Sequence, residues 1–114
     1  MLRGEIWFGV WPNDPQKKNR PLLIVSNDHR NSAANILDVV VLKVTSLERK
    51  DGSVKPINIA EDVVIQLKKK SILRCGSIYS VEKSYFITKA AKLTPEQMKA
   101  VDEKLKNVLD LNSY

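Results

Sequence analysis

Arg20 stands where a polar loop, Pro15-Gln16-Lys17-Lys18-Asn19, meets the apolar run Leu22-Leu23-Ile24-Val25, with Pro21 between them. A proline fixes its own φ and pushes the preceding residue into an extended conformation, so Arg20 is held where a flexible segment joins a rigid one. A guanidinium fixed at such a rim is suited to gripping a phosphate, because its planar fork of donors matches phosphate oxygens. The plain alternative is an arginine solvated on a loop. Thr45 closes a second apolar run and carries a hydroxyl that can donate to the same oxygens. β-branched residues also favour strands for packing alone. Arg74, in Ser71-Ile72-Leu73-Arg74-Cys75, is a possible second charge or an ordinary solvated or ion-paired strand residue. Lys17 and Lys18 either extend into water or track the backbone of a polyanion.

These side chains need strands to position them. Gly4 to Val10 is rich in β-formers and reads as a strand, ended by the loop Trp11-Pro12-Asn13-Asp14-Pro15. Leu22 to Ser26 reads as the second strand. Asn27 to Asn35 is a polar turn region with a helical turn expected at Asn31 to Ala34. Ile36 to Thr45 is a long third strand whose Val39-Val40-Val41-Leu42 run suits burial on both faces. Glu48 to Ser53 is a hairpin-type connection signalled by Asp51-Gly52. Pro56 to Ile59 is expected as a short strand, and Glu61 to Lys70 fits no single pattern. Ser71 to Arg74 and Ser77 to Val81 read as strands interrupted by Gly76, and Tyr85 to Leu93 as a last extended segment. A helix follows. Thr94 is its N-cap, Pro95 suits its first position and Gln97 completes a capping box. Met98, Val101, Leu105, Val108 and Leu109 recur on one apolar face, which reads as core or as core plus dimer contact. Short strands followed by one amphipathic helix imply a mainly β fold, a small barrel or curled sheet with the C-terminal helix packed against it.

At 114 residues and 43% hydrophobic content the chain suits one domain, residues 1–114, with one core. It has neither a bilayer-length apolar run nor a signal-peptide pattern near Met1. One cysteine, Cys75, allows no internal disulfide and no cysteine-based zinc site, and it is expected to pack as a small apolar group. Together these point to the reducing cytoplasm and to no membrane association. The net charge is +6, and residues 43–92, with eleven basic and five acidic side chains, hold an excess equal to all of it. Nucleic acid or an acidic protein segment is the expected partner of that field, with solubility alone as the alternative.

Several fragments, taken in order, resemble the MazF/PemK (Kid) family of toxin endoribonucleases from type II toxin–antitoxin pairs. They are Arg3-Gly4-Glu5-Ile6-Trp7, Asn19-Arg20-Pro21-Leu22-Leu23-Ile24-Val25-Ser26-Asn27-Asp28, Val41-Leu42-Lys43-Val44-Thr45-Ser46, Ser71-Ile72-Leu73-Arg74-Cys75 with Ile78 and Val81-Glu82-Lys83-Ser84, and the Thr94-Pro95-Glu96 helix start. The resemblance implies an SH3-like barrel of the MazF/Kid/CcdB type, a homodimer, and cleavage of single-stranded RNA at short sequences without metal or other cofactor. It also implies an antitoxin whose acidic tail blocks the RNA groove. The chain departs from one branch of the family at Gly76, Ser77 and Tyr79, where that branch has Asp, Gln and Arg. It departs again at Pro15-Gln16-Lys17-Lys18, where a Glu-Gln pair and glycines are common.

What the resemblance implies chemically is attack by the neighbouring 2′-hydroxyl on phosphorus, giving a 2′,3′-cyclic phosphate and a 5′-hydroxyl end. Arg20, Thr45 and Arg74 are the implied catalytic residues. Arg20 and Thr45 hold the scissile phosphate, and Arg74 is a second charge on the phosphorane or the general acid. Gln16, Lys17, Lys18, Asn27, His29 and Ser77 are the implied RNA contacts, and Trp11 can stack on a base. With His29 as the sole histidine, no two-histidine mechanism operates within one subunit. Two other classes remain as alternatives: a catalytically weak RNA- or antitoxin-binding module of the same fold, and a CcdB-like gyrase poison.

Overall fold

Period-two alternation along the strands sorts this chain into two faces of one antiparallel sheet. The computed structural model describes residues 1–10 and 14–111. In chain order the elements are β1 (Glu5–Val10), β2 (Asn19–Ile24), α1 (Asp28–Ser32), β3 (Asp38–Ser46), β4 (Asp62–Gln66), β5 (Lys70–Glu82), a single 3₁₀ turn (Lys83–Tyr85), β6 (Phe86–Lys92) and α2 (Pro95–Val108). The six strands lie in the order β4-β5-β3-β2-β1-β6. The architecture is the expected one, mainly β with a C-terminal helix. The sheet is not closed: β4 and β6 are its edges, and bulges in the β1–β6 and β3–β5 ladders bend it in the manner of an open barrel. No helix among the described residues is long and apolar enough to cross a membrane.

One face carries Ile6, Leu23, Leu42, Val44, Ile65, Leu73 and Cys75, which form the main core with Leu93 and Val101 of the helical segment. Val101 is fully buried there, and burial of a valine side chain stabilises the docking by about 1.5–3 kcal/mol. Met98 and Leu105 pack beside it, whereas Leu109 is half exposed, so the helix's apolar face is used over its first turns only. The capping box is present: Thr94 Oγ1 accepts from Gln97 N at 3.2 Å, and Gln97 Oε1 accepts from Thr94 N at 2.9 Å. The opposite face holds a second cluster, Leu22, Ile24, Val39, Val41 and Val81, covered by Met1, Trp7 and Phe86.

The structure differs from sequence expectation at four places, each with a local cause. β2 begins at Asn19, before the proline. Pro21 is tolerated because it pairs only with Phe8 of β1; the ladder to β3 starts at Leu22, so no β3 bond needs its missing N–H. The helical turn is Asp28–Ser32, earlier than expected, because Asn27 caps it by accepting from Arg30 N at 2.8 Å. Residues 56–59 form no strand. Asn58 instead turns the chain into β4: its N–H donates to Asp62 Oδ2 at 2.8 Å and its carbonyl accepts from Asp62 N at 2.8 Å. Gly76 interrupts nothing, since β5 runs through it as one strand of 13 residues with a bulge.

That bulge has a geometric effect. Lys43 pairs with Arg74 and Leu42 with Ile78, so residues 75–77 have no partner on β3. One step along β3 is matched by four along β5, and the alternation turns over. Leu73, Cys75 and Ile78 all face the helix-side core, while Val81 faces the other side with Tyr79, which pairs with Val41.

Candidate functional site

The face away from α2 opens into a cleft at the N-terminal end of β2. Leu22 pairs with Lys43, the last pair of the β2–β3 ladder. The ladder ends at that pair; Arg20 lies two residues before Leu22 on β2, and Thr45 two residues after Lys43 on β3. Both line a cleft of about 560 Å³ together with Asp14, Asn19, Lys43, Lys55 and Tyr79. Alternation explains the set: Lys43 and Thr45 are two apart on β3, and Arg20 and Leu22 two apart on β2, so each pair shares a face.

Arg20 is anchored from the loop. Its Nε donates to Asp14 Oδ2 at 3.1 Å, and among the described residues its terminal nitrogens make no hydrogen bond. Asp14 also accepts from Gln16 N at 3.0 Å in an Asx turn, while Lys17 N donates to the Asp14 carbonyl at 3.0 Å. The Gln16 N–H and then Arg20 hold the Asp14 carboxyl below its usual value, so it stays ionised as the anchor. Lys17 completes this turn with φ +48°, a left-handed conformation that an L side chain adopts only at some cost.

Thr45 is anchored by a residue that sequence reasoning missed. Lys55 Nζ donates to Thr45 Oγ1 at 2.6 Å. A hydroxyl that accepts still has its own proton to give, so Thr45 can donate to an oxygen in the cleft. Burial lowers the Lys55 pKa, and the charges of Arg74, Arg49 and Lys43 push it the same way. The 47–55 hairpin presents Lys55: Lys55 N bonds the Leu47 carbonyl at 2.9 Å, and Glu48 bridges to Val54. Asp51-Gly52 forms its tip as expected, with Gly52 at φ +84°.

Arg74 stands next to Lys43 in the sheet but outside the lining of the cleft. Its Nη1 donates to Asp62 Oδ2 at 2.5 Å and to the Pro56 carbonyl at 3.1 Å, and the Asp62 side chain is only 4% exposed. Its charge reaches Lys55 without its guanidinium being free to swing. Gln16, Lys17 and Lys18 are exposed on the turn beside the cleft. Asn27 and His29 lie beyond the other end of β2, seven and nine residues along the chain from Arg20, and neither lines the cleft. Asn27 is committed to its cap and His29 is exposed on α1. Ser77 sits half-buried in the β5 bulge, outside the cleft lining. Trp11 lies outside the described residues.

A second basic hollow of about 1000 Å³ adjoins the first, sharing Ser46 and Lys55 and lined by Arg49, Lys50, Lys69 and Lys70. Six of the eleven basic side chains of residues 43–92, namely Lys43, Arg49, Lys50, Lys55, Lys69 and Lys70, thus line these two adjoining hollows. Among the described residues no three His, Cys, Asp or Glu side chains are grouped to hold a metal ion.

Residues 2–109 match the family described as PemK-like, MazF-like toxins of type II toxin–antitoxin systems. A comparison with curated protein sequences gave no match. Among solved structures, the chain resembles an endoribonuclease in complex with its cognate antitoxin from a mycobacterial species, with TM-score 0.77, 23% identity, and 97% of this chain and 96% of that one covered. It also resembles the Mycobacterium tuberculosis toxin MazF-mt6, with TM-score 0.69, 20% identity, and coverage of 93% and 96%. For the MazE–MazF structure from Deinococcus radiodurans the TM-score is 0.70 at 17% identity, covering 96% and 94%. At these identities the likeness establishes the fold.

Proposed function

Since this chain belongs to the PemK-like, MazF-like toxins of type II toxin–antitoxin systems, we propose that it is a metal-independent endoribonuclease. It cuts single-stranded RNA at short sequences, acts as a homodimer in the cytoplasm, and is neutralised by a cognate antitoxin with an acidic segment. One observation carries the chemistry: Arg20 and Thr45 line one cleft whose other cations are Lys43 and Lys55. A phosphodiester seated there meets the Arg20 guanidinium and the Thr45 hydroxyl on its non-bridging oxygens. As the 2′-oxygen bonds to phosphorus, the phosphorane gains negative charge that these groups and Lys43 stabilise. Arg74 adds its field from beside Lys43. The bond to the 5′-oxygen breaks, leaving a 2′,3′-cyclic phosphate and a 5′-hydroxyl. The exposed Gln16, Lys17 and Lys18 follow the RNA backbone at the rim, and the second basic hollow offers an acidic peptide or flanking phosphates a continuous seat. Asn27, His29 and Ser77 are assigned to RNA contacts away from the scissile bond.

The test is incubation of the purified protein with total RNA in EDTA, followed by mapping of 5′-hydroxyl ends. Recurrent cut sites that vanish in Arg20→Ala and Thr45→Ala, with both variants folded, are the expected result. Parent protein that binds RNA but leaves no recurrent ends would instead make it a binding module of this fold.

A further inference from the structure

The ribonuclease chemistry leaves one proton unassigned: the departing 5′-oxygen needs one, and Arg20, Thr45 and Arg74 are poor sources. Arginine holds its proton too tightly, with a pKa above 12, and a threonine hydroxyl is weaker still as an acid. We propose that Lys55 is the general acid, giving a proton from Nζ to the leaving 5′-oxygen. This role rests on the ribonuclease reading of the Arg20–Thr45 cleft.

Three observations support it. Lys55 Nζ is fixed at 2.6 Å from Thr45 Oγ1, so it sits within reach of the same phosphate. An ammonium has three protons, and one of them occupies Thr45, leaving others for the cleft. Lys55 lines both the Arg20 cleft and the adjoining basic hollow, so it stands where the two meet. Its surroundings also weaken its hold on the proton. Lys43 from β3, Arg74 from β5 and Arg49 from the hairpin all face it, and with burial they lower its pKa. The carboxylate lining the cleft, Asp14, is engaged by Arg20. Lys43 and the Tyr79 phenol also line the cleft.

The 2′-hydroxyl proton passes to water as the 2′-oxygen bonds to phosphorus. The phosphorus–O5′ bond breaks with its electron pair on O5′, and that oxygen takes the Nζ proton. The neutral amine then regains a proton from solvent.

A substrate with sulfur in place of the bridging 5′-oxygen tests this directly. A thiolate leaves without help, because a thiol's pKa is about 8.5, so a general acid becomes dispensable. On ordinary RNA, Lys55→Arg and Lys55→Gln should each cleave about 100-fold more slowly than parent, in the range a general acid supplies. On the 5′-thio substrate both should come within about 10-fold of parent, a gap that leaves room for the lost charge. Lys55→Arg keeps the positive charge and a donor for Thr45, so its slow reaction on ordinary RNA separates proton transfer from anchoring. If the variants are equally impaired on both substrates, Lys55 only positions Thr45 and the proposal is wrong. If they match parent on both, Lys55 has no part in the reaction. A parent protein that cuts neither substrate overturns the ribonuclease reading, and this role with it.

Discussion

Replacing Arg74 by alanine separates two roles for that residue, phosphate contact and scaffold. Its guanidinium is bonded to Asp62 at 2.5 Å, and the Asp62 side chain is 4% exposed. Removing one member of a buried ion pair leaves the other charge uncompensated, at a cost of about 3–5 kcal/mol. Two features pull this site toward the lower end. Arg74 is itself 23% exposed, and Asp62 keeps a bond from Asn58 N at 2.8 Å. The expected loss is therefore about 3 kcal/mol, which in a domain of this size lowers Tm by about 12 °C. Circular dichroism melts of Arg74→Ala, Asp62→Ala and the double variant measure it, and the double variant should recover a coupling energy of about 2 kcal/mol. Activity should fall with stability, because Arg74 also holds the Pro56 carbonyl and with it the segment carrying Lys55. An Arg74→Ala protein that melts within about 3 °C of parent yet has lost RNA cleavage would refute this reasoning and place the guanidinium on the phosphate.

The remaining expectations are these. Burial alone would raise the Glu5 pKa, but donors from Trp7, Leu2 and Lys89 outweigh it and hold the carboxyl at about 2, below its ordinary 4.5. The folded value is the lower one, so Glu5 contributes about 3 kcal/mol above pH 4.5, lost as pH falls toward 2. Urea melts across that window should show the parent converging on Glu5→Gln; a constant gap between them would contradict it. Lys17→Gly should be about 1 kcal/mol more stable than Lys17→Ala, since only glycine relieves φ +48°. Equal urea midpoints for the two would count against strain at that turn. The Cys75 thiol is buried and pushed up to about 11, chiefly by burial. Iodoacetamide at pH 8 should therefore label it only on unfolding, and labelling of native protein at a free-thiol rate would show the site to be open.

What could be read from the chain was whatever depends on near neighbours. The α2 cap rests on residues three apart, Thr94 and Gln97, and was legible in full. Arg20 is legible from its place between a polar loop and an apolar run, and Thr45 from the family resemblance, though that both line one cleft needed the fold. Lys43 shares a face with Thr45 by simple alternation, a signal that was present and unused. Lys55 gave no such signal. Its meaning comes from a contact with Thr45 across the hairpin, ten residues away, in a segment that looks like a solvated loop. Arg74 is implied by the family resemblance, but its nearest bond is to Asp62, twelve residues earlier, in the stretch that fits no single pattern. Gly76 looked like a break because glycine usually ends a strand; the pairing of β5 with β3 on both sides of it shows a bulge.

The unpaired residues 75–77 also bear on how such chains change over generations. The alternation of β5 turns over across them, and the pairing of Tyr79 with Val41 beyond them sets it in the cleft and not in the main core. Substitutions there alter one side chain at a time. Loss or gain of a single codon either resizes the bulge with residues 78 to 82 kept on their β3 partners, or slips that register and exchanges them between the two sides. When relatives are aligned through this stretch, length therefore carries more information than identity. A gap set one place too far along would match cleft residues of one toxin with core residues of another.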